Sequence, residues 1–401
     1  MKFLLSQRSL SRLLRTWGPR CSLSPTRCSN LLLRPVSYRG NSTLTYTPNP
    51  FNYDYAEWTG ETGRTYTVNE VVRELDQPFR RTFFASSDDG KRVVLKYIQP
   101  ENFDNHLDVN DRLQDLDSHI RLAEDLIPDT FMVVYEFCPY SSLDMVKQIE
   151  TPLRLLKKIL KSILSILAEL HDRDIVHGVF KKNNIFIDLT KNEDTVTIDS
   201  VQLTLSEDIA HVHPGSNIVG KSVGSRQWNS PEAYAMGPVN KPSDIFAFAL
   251  ICLFVVQRMP MMADTTDDLN PTDSRLHLID NSVSAIEHQM SLFADKVGLR
   301  GFLDYLGRNH PMVPLIELAR EGFNVDRPRE PFSEWEGLDE DFKDLILKMT
   351  NFDPNKRITA RQALDHKWFE GVEVTQQYNS PKIQDLHEES RDPPPLAIGV
   401  H

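Results

Sequence analysis

From Leu153 to His171, apolar side chains return every third or fourth position: Leu156, Ile159, Leu160, Ile163, Leu164, Leu167 and Leu170. That period predicts a long amphipathic helix seated on a core. Two short β-prone runs follow, Ile185-Phe186-Ile187 and Val196-Thr197-Ile198, on either side of the turn-forming Asn192-Glu193-Asp194. They predict a hairpin. Upstream, Tyr66 to Leu75, Arg81 to Ala85, and Lys91 to Ile98 after Asp88-Asp89-Gly90 predict three strands, and Phe131 to Phe137 predicts an apolar one. The run from Ile245 to Val256 is almost wholly apolar, yet it is too short for the ~20 residues of a membrane span. It begins after Asp244 and ends at Gln257-Arg258, as a buried core helix does.

Between the long helix and the hairpin lies His177-Gly178-Val179-Phe180-Lys181-Lys182-Asn183-Asn184. This segment resembles the catalytic loop of protein kinases, H-R-D-x-x-x-x-N. Other segments resemble that family in the same order. Val93-Val94-Leu95-Lys96 is similar to V-A-I-K, and Cys138-Pro139-Tyr140-Ser141-Ser142-Leu143 to the hinge and the start of the next helix. Ser230-Pro231-Glu232 stands for A-P-E, and Ser243-Asp244-Ile245-Phe246 opens a helix like the one anchoring the large lobe. Asp353-Pro354-Asn355-Lys356-Arg357-Ile358-Thr359-Ala360 resembles the D-P-x-x-R-x-T-A signature of Ser/Thr kinases, and His366-Lys367-Trp368-Phe369 their usual ending. The resemblance implies an α+β, two-lobed fold over residues 66–370. A small, mostly-β N-lobe would span 66–137 and a larger, mostly-α C-lobe 138–370.

The resemblance also assigns roles. The position of the catalytic base holds Val179, which cannot accept a proton. Lys96, Lys181 and Asn184 match nucleotide-binding positions, and Asn184 also matches a metal ligand. The metal-binding aspartate of D-F-G has two registers. One is Asp199-Ser200-Val201, directly after the second hairpin strand; the other is Leu205-Ser206-Glu207, which puts Leu205 at the aspartate position. The helix that pairs the lysine falls within Phe103 to Leu116, which holds no glutamate; Asp104, Asp108, Asp111 and Asp115 are its carboxylates. The turn expected to be glycine-rich reads Asp76-Gln77-Pro78-Phe79-Arg80, so it lacks the glycines that let backbone N–H groups approach phosphate. His177, Glu232, Asp244 and Arg357 match the residues that hold the large lobe together. Fold-holding positions match while the base and the phosphate cradle do not. That pattern implies a pseudokinase that scaffolds or regulates protein partners. The family's cofactor, ATP with Mg, fits such a site poorly. The alternative is a divergent Ser/Thr kinase that binds ATP through Lys96, Asn184 and Asp199.

Charge adds a location. From Met1 to Tyr53 there is no Asp or Glu, while Lys2, Arg8, Arg12, Arg15, Arg20, Arg27, Arg34 and Arg39 are spread among serines. Arg8, Arg12 and Arg15 share one helical face, and Leu10, Leu13, Leu14 and Trp17 another. An Arg-rich, Ser-rich, acid-free amphipathic start reads as a mitochondrial transit peptide over 1–45, handled by the import machinery and followed by a linker over 46–65. Without that reading the protein would be cytoplasmic. Loss of its eight positive charges takes the formal net charge from −12 to −20, which argues against nucleic acid as a partner. Cys21, Cys28, Cys138 and Cys252 show no disulfide or metal spacing. After Gly371 the chain turns polar, with Asp392-Pro393-Pro394-Pro395 near its end, and reads as a disordered tail over 371–401.

Overall fold

The computed structural model describes residues 56–76, 79–116, 119–138, 141–143, 151–178, 180–191, 196–219, 227–257 and 275–374. The chain divides into two units, Met1–Phe51 and Asn52–His401, and every described residue belongs to the second. The transit-peptide segment, most of the tail, Gln77, Pro78, Val179 and the Asn192–Asp194 turn lie outside the described residues.

A six-stranded antiparallel sheet forms the small lobe. Its strands are β1 (Glu57–Thr59), β2 (Thr65–Asp76), β3 (Phe79–Ser87), β4 (Arg92–Tyr97), β6 (Asp125–Ile127) and β7 (Met132–Glu136), in the order β1-β2-β3-β4-β7-β6. Period-two alternation builds it. In β4, Val93 and Leu95 are buried, and they cluster with Tyr66, Val68, Phe83, Ala85 and Val134. The opposite face buries Ile98, Val133 and Tyr135 under helix α1 (Pro100–Arg112). The lobe thus starts at Glu57 rather than Tyr66, inside the expected linker. Gly60 sits where a Cβ would fall 2.0 Å from an Asp125 carboxylate oxygen, and Thr62 Oγ1 and Tyr66 Oη donate to that carboxylate at 2.5 and 2.8 Å. The early glycine therefore tucks the leading turn onto the sheet.

Below the sheet, α2 (Leu153–Asp172) carries the predicted apolar stripe, buried from Leu156 to Leu170. Next come β9 (Ile175–Val176), the loop to Asn184, and the hairpin β10 (Ile185–Lys191) and β11 (Val196–Thr204). The hairpin belongs to a four-stranded sheet ordered β5-β11-β10-β8, with β5 at Ile120–Arg121 and β8 at Ser141–Ser142; β12 (Ala210–His211) pairs with β9.

The remaining α-helices among the described residues are α3 (Pro231–Tyr234), α4 (Lys241–Gln257), α5 (Arg275–Phe293), α6 (Lys296–Leu306), α7 (Val313–Glu321), α8 (Glu340–Met349) and α9 (Ala360–Leu364). Helix α4 is buried on every side from Ser243 to Val255, which explains its lack of polar periodicity. Among the described residues no helix is long and apolar enough to cross a membrane. The last helix is closed by a capping box in which Thr359 and Gln362 exchange side-chain and backbone hydrogen bonds.

Candidate functional site

The loop from His177 to Asn184 is fastened from below. Asp244, in the first turn of α4, accepts from the backbone N–H groups of His177 at 2.8 Å and Gly178 at 3.0 Å, and lies 3.1 Å from His171 Nε2. Gly178 has φ +78°, and a Cβ there would meet the Asp208 carbonyl oxygen at 2.6 Å. Only glycine combines that backbone with that closeness. The His177 ring stacks edge-on with Phe180 at 5.4 Å, and Phe180 with Phe248 of α4 at 6.1 Å. His177 Nε2 lies 3.0 Å from the Thr204 carbonyl, and Ser206 Oγ donates to the His177 carbonyl at 2.5 Å. Burial pushes the His177 imidazole below its ordinary range, outweighing the nearby Asp244 charge. The loop, the end of β11 and α4 are therefore one packed unit.

Lys96 reaches this unit from the sheet. It pairs with Thr82 and Val133 across β4, and its Nζ donates to the backbone carbonyl of Leu205 at 3.2 Å. Leu205 directly follows β11 and is fully buried. Beside Lys96 stands a group absent from the sequence reading, His106 of α1. It is fully buried, and its Nε2 lies 2.7 Å from Tyr135 Oη. Burial first, and the Lys96 charge second, push this imidazole down to about 3, against a raising backbone contact from Ser206. His106 is therefore neutral near pH 7. Burial, helped by the Glu207 charge, pushes the Tyr135 hydroxyl up. A neutral, hydrogen-bonded pair thus joins the inner face of α1 to β7.

The four aspartates expected to pair Lys96 do not face it. Asp104 and Asp111 are exposed; Asp108 pairs with Arg112 at 2.7 Å, and Asp115 with Arg173 at 2.5 Å. Their spacing makes one stripe, and it is the solvent stripe. His106, Val109 and Asn110 form the buried one. Arg173 also donates to the Arg112 carbonyl, and Asn105 Nδ2 to the Ile209 carbonyl, so α1 is tied to the large lobe at its middle and its C-terminal end.

The hairpin places Asp199 inside β11, not after it. β11 runs on to Thr204, and its pairing skips from Ser200 opposite Asp188 to Ile198 opposite Leu189. Asp199 is the extra residue of a β-bulge. Its exposed carboxylate accepts from Thr190 Oγ1 at 2.5 Å. Asn184 lies beyond the other end of the pairing, next to Ile185, which faces Leu203. At the rise of a strand, that separates the two by on the order of 15 Å, so they cannot share a metal.

Asn184 is buried at the end of a 3-10 turn that starts at Lys182. Lys182 Nζ stands 5.5 Å from the Phe254 ring centre, and Lys181 precedes the turn, half-buried. Mg²⁺ demands oxygen ligands in near-octahedral array. Leu205 offers no side-chain oxygen, and Asp199 points elsewhere, so these residues do not fit a metal-bound nucleotide. Among the described residues no cluster of three or more His, Cys, Asp or Glu could hold a metal ion.

Glu232 and Arg357 meet beneath the site. Arg357 Nη1 donates to Glu232 Oε1 at 2.6 Å and Nη2 to Oε2 at 3.2 Å, with both side chains essentially inaccessible. Ser243 Oγ gives Glu232 another bond at 2.7 Å, and Arg357 also donates to the carbonyls of Pro242 and Asn351. Burial alone would raise the Glu232 carboxyl; the Arg357 guanidinium and Ser243 override it, and the net direction is down.

A sequence profile described as the protein kinase domain matches residues 86–369. The chain is 24% identical over 210 residues to a calcium/calmodulin-dependent protein kinase, cmkB, of Emericella nidulans, covering 52% of this chain and 39% of that one. It is 21% identical over 229 residues to calcium/calmodulin-dependent protein kinase type 1 of Macrobrachium nipponense, covering 57% and 48%. It is 23% identical over 330 residues to the serine/threonine-protein kinase/endoribonuclease ire-1 of Caenorhabditis elegans, covering 79% and 28%. The chain thus spans less than half the length of these curated relatives.

Proposed function

This chain belongs to the protein kinase family, and we propose that it acts there as a pseudokinase, a mitochondrial scaffold or allosteric partner of other proteins. One observation carries the reading: Lys96 Nζ donates to the Leu205 backbone carbonyl at 3.2 Å, while the aspartates within 103–116 are exposed or paired elsewhere. The His106–Tyr135 pair supports it, because a neutral hydrogen bond does for α1 what a lysine–carboxylate pair does in a working kinase. Val179 at the base position and the glycine-free turn support it from the sequence. The mitochondrial part rests on the acid-free, Arg-rich first 53 residues.

Thermal unfolding of the full chain with ATP, with and without Mg²⁺, tests the reading. A native-state ligand at 100 times its Kd adds about 2.7 kcal/mol of stability, a plain melting shift. The expected result is no Mg²⁺-dependent shift. A shift that needs Mg²⁺ and vanishes in Asn184→Ala would overturn the reading and favour the divergent kinase.

A further inference from the structure

Among the described residues the stretch between α4 and α8 holds three helices, and two of them frame a groove of about 860 Å³ far in sequence from the loop and Lys96. Its floor is apolar, with Leu299 and Leu303 on α6, Val313 on α7, and Phe323 just beyond. Leu299 and Leu303 are four residues apart, so they share one helix face. Lys296 and Arg300 form a parallel row beside them.

The charges on the walls are unbalanced. Lys296, Arg300, Arg308, Arg320 and Arg329 line the groove, against three carboxylates, Asp295, Asp304 and Glu317. Asp295 is already engaged as the α6 cap, accepting from Gly298 N. Among the described residues Lys296, Arg300 and Arg308 make no ion pair or hydrogen bond, though all three are exposed. Arg329 donates to the last carbonyls of α5, Ser291 and Ala294, while its Nε is buried without a partner. Unpaired cations gathered in one groove of an acidic protein make a local positive patch that steers an anionic partner. Two apolar side chains close in sequence to the lining are also open to water. Val297, beside Lys296, is 79% exposed, and Val325, two residues past Phe323, is 97% exposed.

We propose that this groove docks an acidic amphipathic peptide segment of a partner protein, its carboxylates on Arg300, Arg308 and Lys296 and its apolar side chains on Leu299, Leu303 and Val313. Two amphipathic helices with an apolar seam are the receptor half of helix-in-groove recognition. A polypeptide fits better than a nucleic acid, because Asp304 and Glu317 on the wall and the net charge of the chain repel a polyphosphate. A single small anion would gain little from cations that stay in water. A partner whose apolar side chains cover Leu299, Leu303 and Val313 removes that water and strengthens each pair. The proposal gives the scaffold reading its surface and rests on that reading.

Fluorescence polarisation tests it, with the full chain titrated into a labelled peptide of leucine and glutamate at helical spacing. The comparison probe carries lysine for every glutamate. Saturable binding of the acidic probe alone is expected, weakened ~10-fold or more by Arg300→Glu with Arg308→Glu, a change of about 1.4 kcal/mol or more. The doubly reversed protein should instead bind the lysine probe. Both arginines are exposed and unpartnered, so an unchanged melting temperature certifies the variant's fold. Equal binding of the acidic probe by both proteins, or no saturable binding, overturns the proposal. Displacement of the probe by single-stranded oligothymidylate as readily as by unlabelled peptide also overturns it, reducing the groove to an anion patch. Phosphotransfer measured on the same sample separates the two claims. Transfer with intact peptide binding fails the pseudokinase reading alone, and lost peptide binding without transfer fails the groove alone.

Discussion

Replacing His106 with leucine should make the protein less stable at pH 7 yet less sensitive to acid. His106 is buried against Tyr135 and Lys96, with its imidazole pushed down to about 3 from an ordinary 6.5, chiefly by burial and then by the Lys96 charge. Between those values the unfolded chain takes up a proton that the folded one refuses. Stability therefore rises with pH through this window and falls as pH drops below 6.5. From pH 7 to pH 5 the single site removes roughly 2 kcal/mol, about one and a half pH units at 1.36 kcal/mol each. His106→Leu removes that titration and orphans the Tyr135 hydroxyl, costing ~1–3 kcal/mol at pH 7. His177 shifts in the same direction, but it is present in both proteins and cancels. Urea unfolding at pH 7 and pH 5 measures both quantities. The variant should lose about 2 kcal/mol less than the wild type between the two pH values. An identical loss would mean that His106 is not held neutral beside Lys96, and the picture of the inner face of α1 would fall.

Three further outcomes follow from the same geometry and one from the sequence. Adding Tyr135→Phe to His106→Leu should recover much of the pH 7 loss, since removing both partners leaves no orphan; double-mutant unfolding curves that simply add would deny the bond. Arg357→Ala should destabilise by roughly 3–5 kcal/mol, because Glu232 stays buried without its guanidinium, and an unchanged melting temperature would undo the docking of α3 on α4. The Glu232 carboxyl is held below its ordinary 4.5, so the pair's stabilisation is present above that value and is lost as pH falls beneath it. Changing Arg8, Arg12 and Arg15 to glutamate should abolish mitochondrial import of the full chain in a cell-fractionation assay, and intact import would remove the targeting reading.

Much of the frame was legible because burial wrote it as periodicity. The α2 stripe, the β4 alternation and the all-apolar α4 each follow from packing on one side or on every side. The site was harder to read where two patterns compete. On α1, Asp104, Asp108, Asp111 and Asp115 keep helical spacing as well as His106, Val109 and Leu113 do. A search for a carboxylate partner follows the first stripe. Val109 and Leu113, which must be buried, mark the second as the inner one and place His106 on it. In the hairpin, Val196-Thr197-Ile198 is only the start of β11. Val201 and Leu203 carry the buried pattern on, and the bulge at Asp199 breaks the alternation that would have revealed it. A bulge depends on the partner strand, and no local signal in β11 announces it. Gly178 is a third case: its need for a positive φ comes from the Asp208 carbonyl, distant in sequence.

Phosphotransfer itself tests the central claim most directly. Full chain with Mg-ATP carrying a labelled γ-phosphate, assayed on itself and on generic protein substrates, should incorporate no label. Loss of a general base alone costs ~10²–10⁴ in rate. Val179→Asp alone should not restore transfer, because the glycine-free Asp76-Gln77-Pro78 turn remains. Robust incorporation by the wild type, abolished by Lys96→Met, would contradict the account; abolition by Asp199→Asn as well would contradict the bulge placement of Asp199.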